Sequence, residues 1–161
     1  MTFDTIIKGG TIATAVDTFV ADVGITNGKI TALGTDLGDA GRIIDAKDML
    51  VLPGGIDAHC HIEQESSTKL MTADDFYSGS VSAAFGGNTT FIPFAAQHRG
   101  QHLRDVVDET HAKAEPKSVI DYAFHLIISD PTDHVLGQEL PALIAQGYTS
   151  FKVYMTYEML K

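Results

Sequence analysis

The sequence predicts an α/β protein in two parts: part of a small β-sandwich over residues 1–52, and parallel β/α units of the kind that build a barrel over residues 53–161. Three observations carry this. Asn27-Gly28 lies between two β-rich runs, the strongest short signal for an antiparallel hairpin. Pro53-Gly54-Gly55 then punctuates the chain. Beyond it the apolar pattern repeats as strand, loop and helix, and strands that alternate with helices of this length pair in parallel.

In the first part, strands are expected at Thr5–Lys8, Ala21–Thr26 and Lys29–Leu33. In the second, a strand near 56–60 precedes a helix near 74–86 that Gly86-Gly87 ends. Thr72 is the expected N-cap of that helix, with Asp75 three positions later completing an approximate capping box. A strand at 89–94 and a helix near 101–114 follow, then a strand near 120–128 and a helix near 134–146 that stops at Gly147. A fourth strand begins at Ser150.

Composition narrows the function classes. The formal net charge of −10 argues against a partner that presents a phosphate backbone. No apolar run is long enough to cross a membrane, and Met1-Thr2-Phe3-Asp4 lacks the basic start of a secretion signal, so a cytoplasmic protein is expected. The single cysteine, Cys60, excludes an internal disulfide. It sits between two histidines, so strand alternation turns it to the opposite face as a small packed hydrophobe.

Those histidines end the run Pro53-Gly54-Gly55-Ile56-Asp57-Ala58-His59-Cys60-His61. Residues i and i+2 of a strand point the same way, so His59 and His61 present both imidazoles to one point, as a metal site requires. Surface and core histidines also fall at this spacing by chance. Asp57 shares their face, either to orient a histidine or to accept a strand-end hydrogen bond. Far downstream, Lys152 is the lone charge in the strand-like run Ser150-Phe151-Lys152-Val153-Tyr154-Met155. It reads either as a lysine on the solvated face of an edge strand or as an amine pointing into a barrel mouth. In the second reading a neutral amine there can add carbon dioxide and become an anionic carbamate.

These stretches resemble a family. Together with Ile6-Ile7-Lys8-Gly9-Gly10, Thr72-Ala73-Asp74-Asp75-Phe76-Tyr77 and Ala83-Ala84-Phe85-Gly86-Gly87-Asn88-Thr89-Thr90, the run to His61 and the Lys152 strand are similar to hydantoinases and dihydropyrimidinases, cyclic amidohydrolases of the amidohydrolase superfamily. The resemblance implies the first four strands of a (β/α)8 TIM-type barrel. It implies a pair of divalent metals, zinc before manganese, with His59 and His61 on one ion and a carboxylated Lys152 bridging both as the catalytic anion. It also implies that Tyr157 hydrogen-bonds a small cyclic amide substrate, a hydantoin or dihydropyrimidine opened to an N-carbamoyl amino acid, and that the complete enzyme is a homotetramer. No nucleic acid or membrane partner is expected.

A full barrel takes about 250 residues, and this family adds a second domain, so 161 residues are expected to be an N-terminal fragment that is inactive alone. Two further histidine ligands and a general-base aspartate then belong to later strands. A dihydropyrimidinase-like scaffold without catalysis is the rival reading, and the retained His59, His61 and Lys152 speak against it.

The loop Ile62–Met71 follows a strand end and is the expected substrate lid. Dihydroorotases carry an arginine two residues after their histidine pair to hold a carboxylate. Glu63 occupies that position here, and its charge is expected to repel such a substrate. His98, His102, His111 and His134 read as surface residues rather than ligands. His125 lies in the apolar run Tyr122–Ile128, where it either faces the barrel interior or serves as a hydrogen-bonded core histidine.

Overall fold

The computed structural model describes residues 3–66 and 69–155, which fall into two compact units, Met1–Pro53 and Gly54–Lys161. Tyr157 lies outside the described residues. No helix among them is long and apolar enough to cross a membrane.

The first unit is a single five-stranded sheet built on one long strand. Strand β1, Phe3–Ala13, pairs antiparallel with β2, Thr18–Thr26, which turns back through Asn27-Gly28 into β3, Lys29–Gly34. Both turn residues have positive φ, 52° and 71°, the left-handed pair that a tight hairpin demands and that Asn-Gly supplies at little strain. On its other edge β1 pairs in parallel with β4, Ala40–Asp45, and then with β5, Leu50–Val51. The ladder between β1 and β2 shifts register between Ile7 and Gly10. Buried Asp22 takes up the donors freed nearby, accepting from Gly9 N at 2.8 Å and Leu37 N at 3.2 Å. One face packs Ile12, Ala21 and Val23 against Ile7, Ile25 and Val51, while Val20, Ile30, Leu33 and Leu50 stay exposed. The unit thus supplies one layer where part of a sandwich is expected.

The second unit holds the parallel sheet that strand and helix alternation predicts, in the order β10-β9-β7-β6. Its strands are β6, Gly55–Cys60; β7, Asn88–Ala96; β8, Asp121–Tyr122; β9, His125–Ile127; and β10, Phe151–Lys152. Gly54 lies so close to the start of β7 that an added Cβ would meet Thr89 Oγ1 at 2.2 Å, so a side chain at this entry would push the strands apart.

Helices α1, Phe76–Phe85, and α2, Leu103–Ala114, cover one face of this sheet. Phe76, Phe91, Ala95, Leu103, Val106, Val107, Leu126, Ile128 and Leu143 form the core between them. Burial of a side chain of this size contributes about 1.5–3 kcal/mol, so the helix-facing side stabilises the unit.

Three local expectations need correction. Asp75, not Thr72, caps α1: its side chain accepts from Ser78 N, and Ser78 Oγ accepts from Asp75 N in return. Thr72 Oγ1 serves the preceding loop by accepting from Gln64 N. The strand near 120–128 is broken into β8 and β9. Ala123 N still donates to Phe91 O, but the next rung would need an N–H on residue 93, and Pro93 has none. The helix near 134–146 divides into a π-helical turn, Val135–Glu139, and α3, Leu140–Ala145, with Pro141 in the first turn of α3.

Candidate metal centre

The opposite face of the parallel sheet carries the polar residues. Alternation on β7 sends Phe91 and Ala95 into the helix-facing core and Phe94 to the other side. On β6 the same alternation packs Cys60 against the core and leaves His59 and His61 beside Phe94. The two imidazole centroids are 5.5 Å apart, and each is 4.9 Å from the Phe94 ring. Lys152, on β10, reaches the same ring, with Nζ 4.4 Å from its centroid. His59, His61 and Lys152, the first and last of them 93 positions apart in sequence, therefore meet around one phenylalanine.

Several contacts fix their orientation. His61 Nδ1 donates to Gln64 Oε1 at 2.8 Å, which puts the ring proton on Nδ1 and leaves the Nε2 lone pair free. Asp57 Oδ1 accepts from His59 N at 3.1 Å, so Asp57 holds the backbone of the strand end. The β6–β7 register shifts between Asp57 and Cys60, a bulge that re-aims the neighbouring side chains. At that bulge the Ala58 carbonyl accepts from His125 Nε2 at 2.8 Å.

His125 is paired with Phe94 across β7 and β9, and its Nδ1 meets Ser150 Oγ at 2.6 Å. A carbonyl can only accept, so Nε2 donates to Ala58 O, while Nδ1 is hydrogen-bonded to the Ser150 hydroxyl. Both nitrogens are engaged, and His125, half-buried beside Phe94 on the face that carries His59 and His61, is a hydrogen-bonded strut between Ala58 of β6 and Ser150, so both of its sequence readings apply in part. Cys60 is half-buried, and burial first, then the Asp57 charge, pushes its thiol up to about 11. The thiol is therefore inert packing, as alternation indicates.

The loop after His61 folds back on itself. Glu63 N donates to Asp74 O, Thr72 N to Gln64 O, and Glu65 bridges Met71 antiparallel. Glu63, expected to repel a substrate carboxylate, is charge-paired with Lys117. Its carboxylate takes both hydrogen bonds of Lys117 Nζ, at 2.7 and 2.8 Å, and accepts from Phe76 N at the start of α1. His111 is also not a surface residue. It is half-buried between two tyrosines, with Nδ1 at 3.2 Å from Tyr122 O–H and Nε2 at 2.5 Å from Tyr148 O–H.

Sequence reasoning did not single out Phe94 or Gln64. The signal for Gln64 was its place three residues after His61 in a loop at a strand end. Phe94 was visible only as the last apolar residue of its expected strand.

A donor set of two imidazoles with an amine nearby suits a borderline divalent metal, zinc above others, once the amine is converted to an oxygen ligand. The free Nε2 of His61 and the shared ring beneath all three groups fit that use.

No family model matches the chain. It is 48% identical over 155 residues to the D-hydantoinase of Geobacillus stearothermophilus, which covers 95% of this chain and 32% of that protein. It is 49% identical over 154 residues to the D-hydantoinase of Rhizobium radiobacter, and 36% identical over 161 residues to the dihydropyrimidinase of Rattus norvegicus. A solved D-hydantoinase structure superposes with a TM-score of 0.92 at 48% identity, covering 97% of this chain and 34% of that one. The chain thus spans about a third of the length of the relatives it matches.

Proposed function

We propose that this chain is part of a metal-dependent hydrolase that opens cyclic amides, hydantoins or dihydropyrimidines, to N-carbamoyl amino acids. The observation that carries the reading is the meeting of His59, His61 and Lys152 around Phe94 at one end of a parallel sheet. Similarity to D-hydantoinases over nearly the whole chain supports it. In this reading the sheet is the first half of a TIM-type barrel, whose strand ends hold the reacting groups.

His59 and His61 would hold one metal ion through imidazole nitrogens. Lys152 would add carbon dioxide at its neutral amine, the ammonium proton and then one N–H proton passing to solvent, and the resulting carbamate would supply anionic oxygen ligands for the metal pair. A divalent pair supplies Lewis acidity and activates water at neutral pH when bound. Gln64 keeps the His61 proton on Nδ1, so the ring meets the metal in one tautomer. The His125 hydrogen bonds tie the Ala58 carbonyl of β6 to Ser150, which leads into β10. Tyr157 donates to the substrate ring, and an aspartate elsewhere in the complete protein moves the proton to the ring nitrogen as the C–N bond breaks. The complete protein works in the cytoplasm as a homotetramer.

The experiment is ring opening of hydantoin and of dihydrouracil by the complete protein, followed together with its metal content. Turnover lost on chelation and regained with zinc or manganese is the expected result. A protein that opens neither ring, or opens one equally well without metal, overturns the reading.

A further inference from the structure

Far in sequence from the Phe94 cluster, His102, His134 and Glu139 bring ligand atoms within 4.8 Å of one another. Local structure explains the meeting. His102 stands at the N-cap of α2 but makes no side-chain cap bond, which leaves its ring free to turn elsewhere. His134 immediately precedes the π-helical turn and Glu139 is its last residue. Five residues of α-helix rotate through about 500°, which would leave these two side chains about 140° apart. The wider turn, marked by the bond from Leu140 N to Val135 O, brings them to one side.

The carboxylate of Glu139 is the centre of the group. Its side chain is only 9% exposed, whereas those of His102 and His134 are 64% and 61% exposed. Glu139 Oε2 accepts from Leu103 N, while Oε1 lies 2.5 Å from His102 Nδ1 and 3.3 Å from His134 Nε2. The two imidazole rings stand edge to face with centroids 6.0 Å apart.

We propose that His102, His134 and Glu139 form a second divalent-metal site, of the zinc class, independent of the one at His59, His61 and Lys152. Two imidazoles and a carboxylate are the donor set that zinc takes with one further position left to water. The backbone N–H on Oε2 is the kind of outer partner that orients a ligating carboxylate and leaves its other oxygen for the ion. In the metal-free protein His102 Nδ1 and His134 Nε2 both face Glu139 Oε1. For the ion to bind, each of these nitrogens presents a lone pair: the proton that His102 Nδ1 shares with Glu139 passes to solvent, and any on His134 Nε2 moves to Nδ1 of that ring or to solvent. The occupied site ties the start of α2 to the turn that leads into α3. π turns are frequent at functional sites, and this one brings together two side chains that an unbroken α-helix would hold apart.

The test counts zinc per chain by equilibrium dialysis, which reads bound metal whatever the association state. His59→Ala/His61→Ala removes ligands of the first site, and this variant is compared with the same variant carrying His134→Ala or His102→Gln. Loss of an outer-shell partner costs about 10–100-fold in metal affinity, so loss of a ligand should cost at least about 100-fold. The double variant is expected to retain one equivalent of Zn2+, and each added substitution is expected to remove it while the metal-free circular dichroism spectrum stays the same. A double variant that binds no zinc overturns the proposal, as does one whose zinc survives both added substitutions. Neither outcome bears on the proposed cyclic amidohydrolase activity, which is read from turnover at the other site.

Discussion

Gln64 Oε1 stands 2.8 Å from His61 Nδ1, and this hydrogen bond decides which ring nitrogen of His61 can bind a metal. Gln64→Leu keeps the bulk and removes the acceptor, so the ring is free to exchange tautomers and to rotate. Metal affinity at the His59/His61 site is expected to fall about 10–100-fold with the fold unchanged. Zinc titration of Gln64→Leu beside the unaltered protein checks this, and equal affinities would remove Gln64 from the site.

Lys152 sits with Nζ over the Phe94 ring rather than in open solvent, on the side shared by both histidines. On the proposed reading, Lys152→Ala in the complete protein is expected to abolish turnover and strip the metal pair, because two divalent charges would lose the anion between them. Short carboxylic acids added at high concentration should restore part of the activity by replacing the carbamate oxygens. A Lys152→Ala protein that retains two metals per subunit and normal turnover would return Lys152 to the role of a solvated strand lysine.

Tyr157→Phe separates substrate contact from metal binding. If the hydroxyl donates to the oxyanion that forms on the ring, its loss should lower turnover about 10²–10³-fold and leave metal content alone. Turnover and metal per subunit are measured together with hydantoin and dihydrouracil. Turnover within about twofold of the unaltered enzyme would exclude that donor role.

Much of this arrangement was legible from local pattern because strand geometry is local. His-x-His on a strand put both imidazoles on one face without knowledge of the partner, while the lone lysine in a β-branched run stayed open between a solvated face and the barrel mouth. What escaped were contacts made across the fold. The Glu63 carboxylate was read as a free charge because its partner, Lys117, is 54 residues away. The break between β8 and β9 was invisible in their own sequence, since its cause is Pro93 on the neighbouring strand. The N-cap was misplaced by three residues because Thr72 and Asp75 both suit the role, and only the loop, which engages Thr72 Oγ1, decides between them. The π turn at Val135–Glu139 left no periodic signature that would mark His134 and Glu139 as neighbours.

Asp22 carries a pH dependence whose sign follows from its contacts. The Gly9 N–H holds its carboxyl below the ordinary value of 3.8, burial opposes this, and the Leu37 N–H lowers it further. A depressed carboxyl contributes stability above its unfolded value and loses it as pH falls through the folded one. Asp22→Asn turns an amide N–H toward one of those donors and should cost about 1–3 kcal/mol at neutral pH. Urea midpoints of both proteins from pH 7 down to about 3 check this: the gap should close as Asp22 protonates near and below its reference value. A constant gap across that range would mean that the charge of Asp22 contributes nothing.

The parallel sheet ends in β6 on one side and β10 on the other, each hydrogen-bonded to one neighbour among the described strands. Such an edge offers a row of unpaired N–H and C=O groups, and a closed barrel is the arrangement that removes it. The exposed edge-strand residues Ile56, at 64%, and Phe151, at 41%, add apolar surface to these edges. The 161-residue chain on its own is therefore expected to self-associate, with light scattering that rises with concentration and a broad thermal transition. Joining the chain to the remainder of the complete protein should suppress both by pairing the two edges. Sedimentation of the isolated chain across a hundredfold range of concentration, roughly the micromolar span in which unpaired strand edges aggregate, is the measurement that decides. A monomer throughout that range, with one sharp unfolding transition, would show that β6 and β10 are protected in some other way.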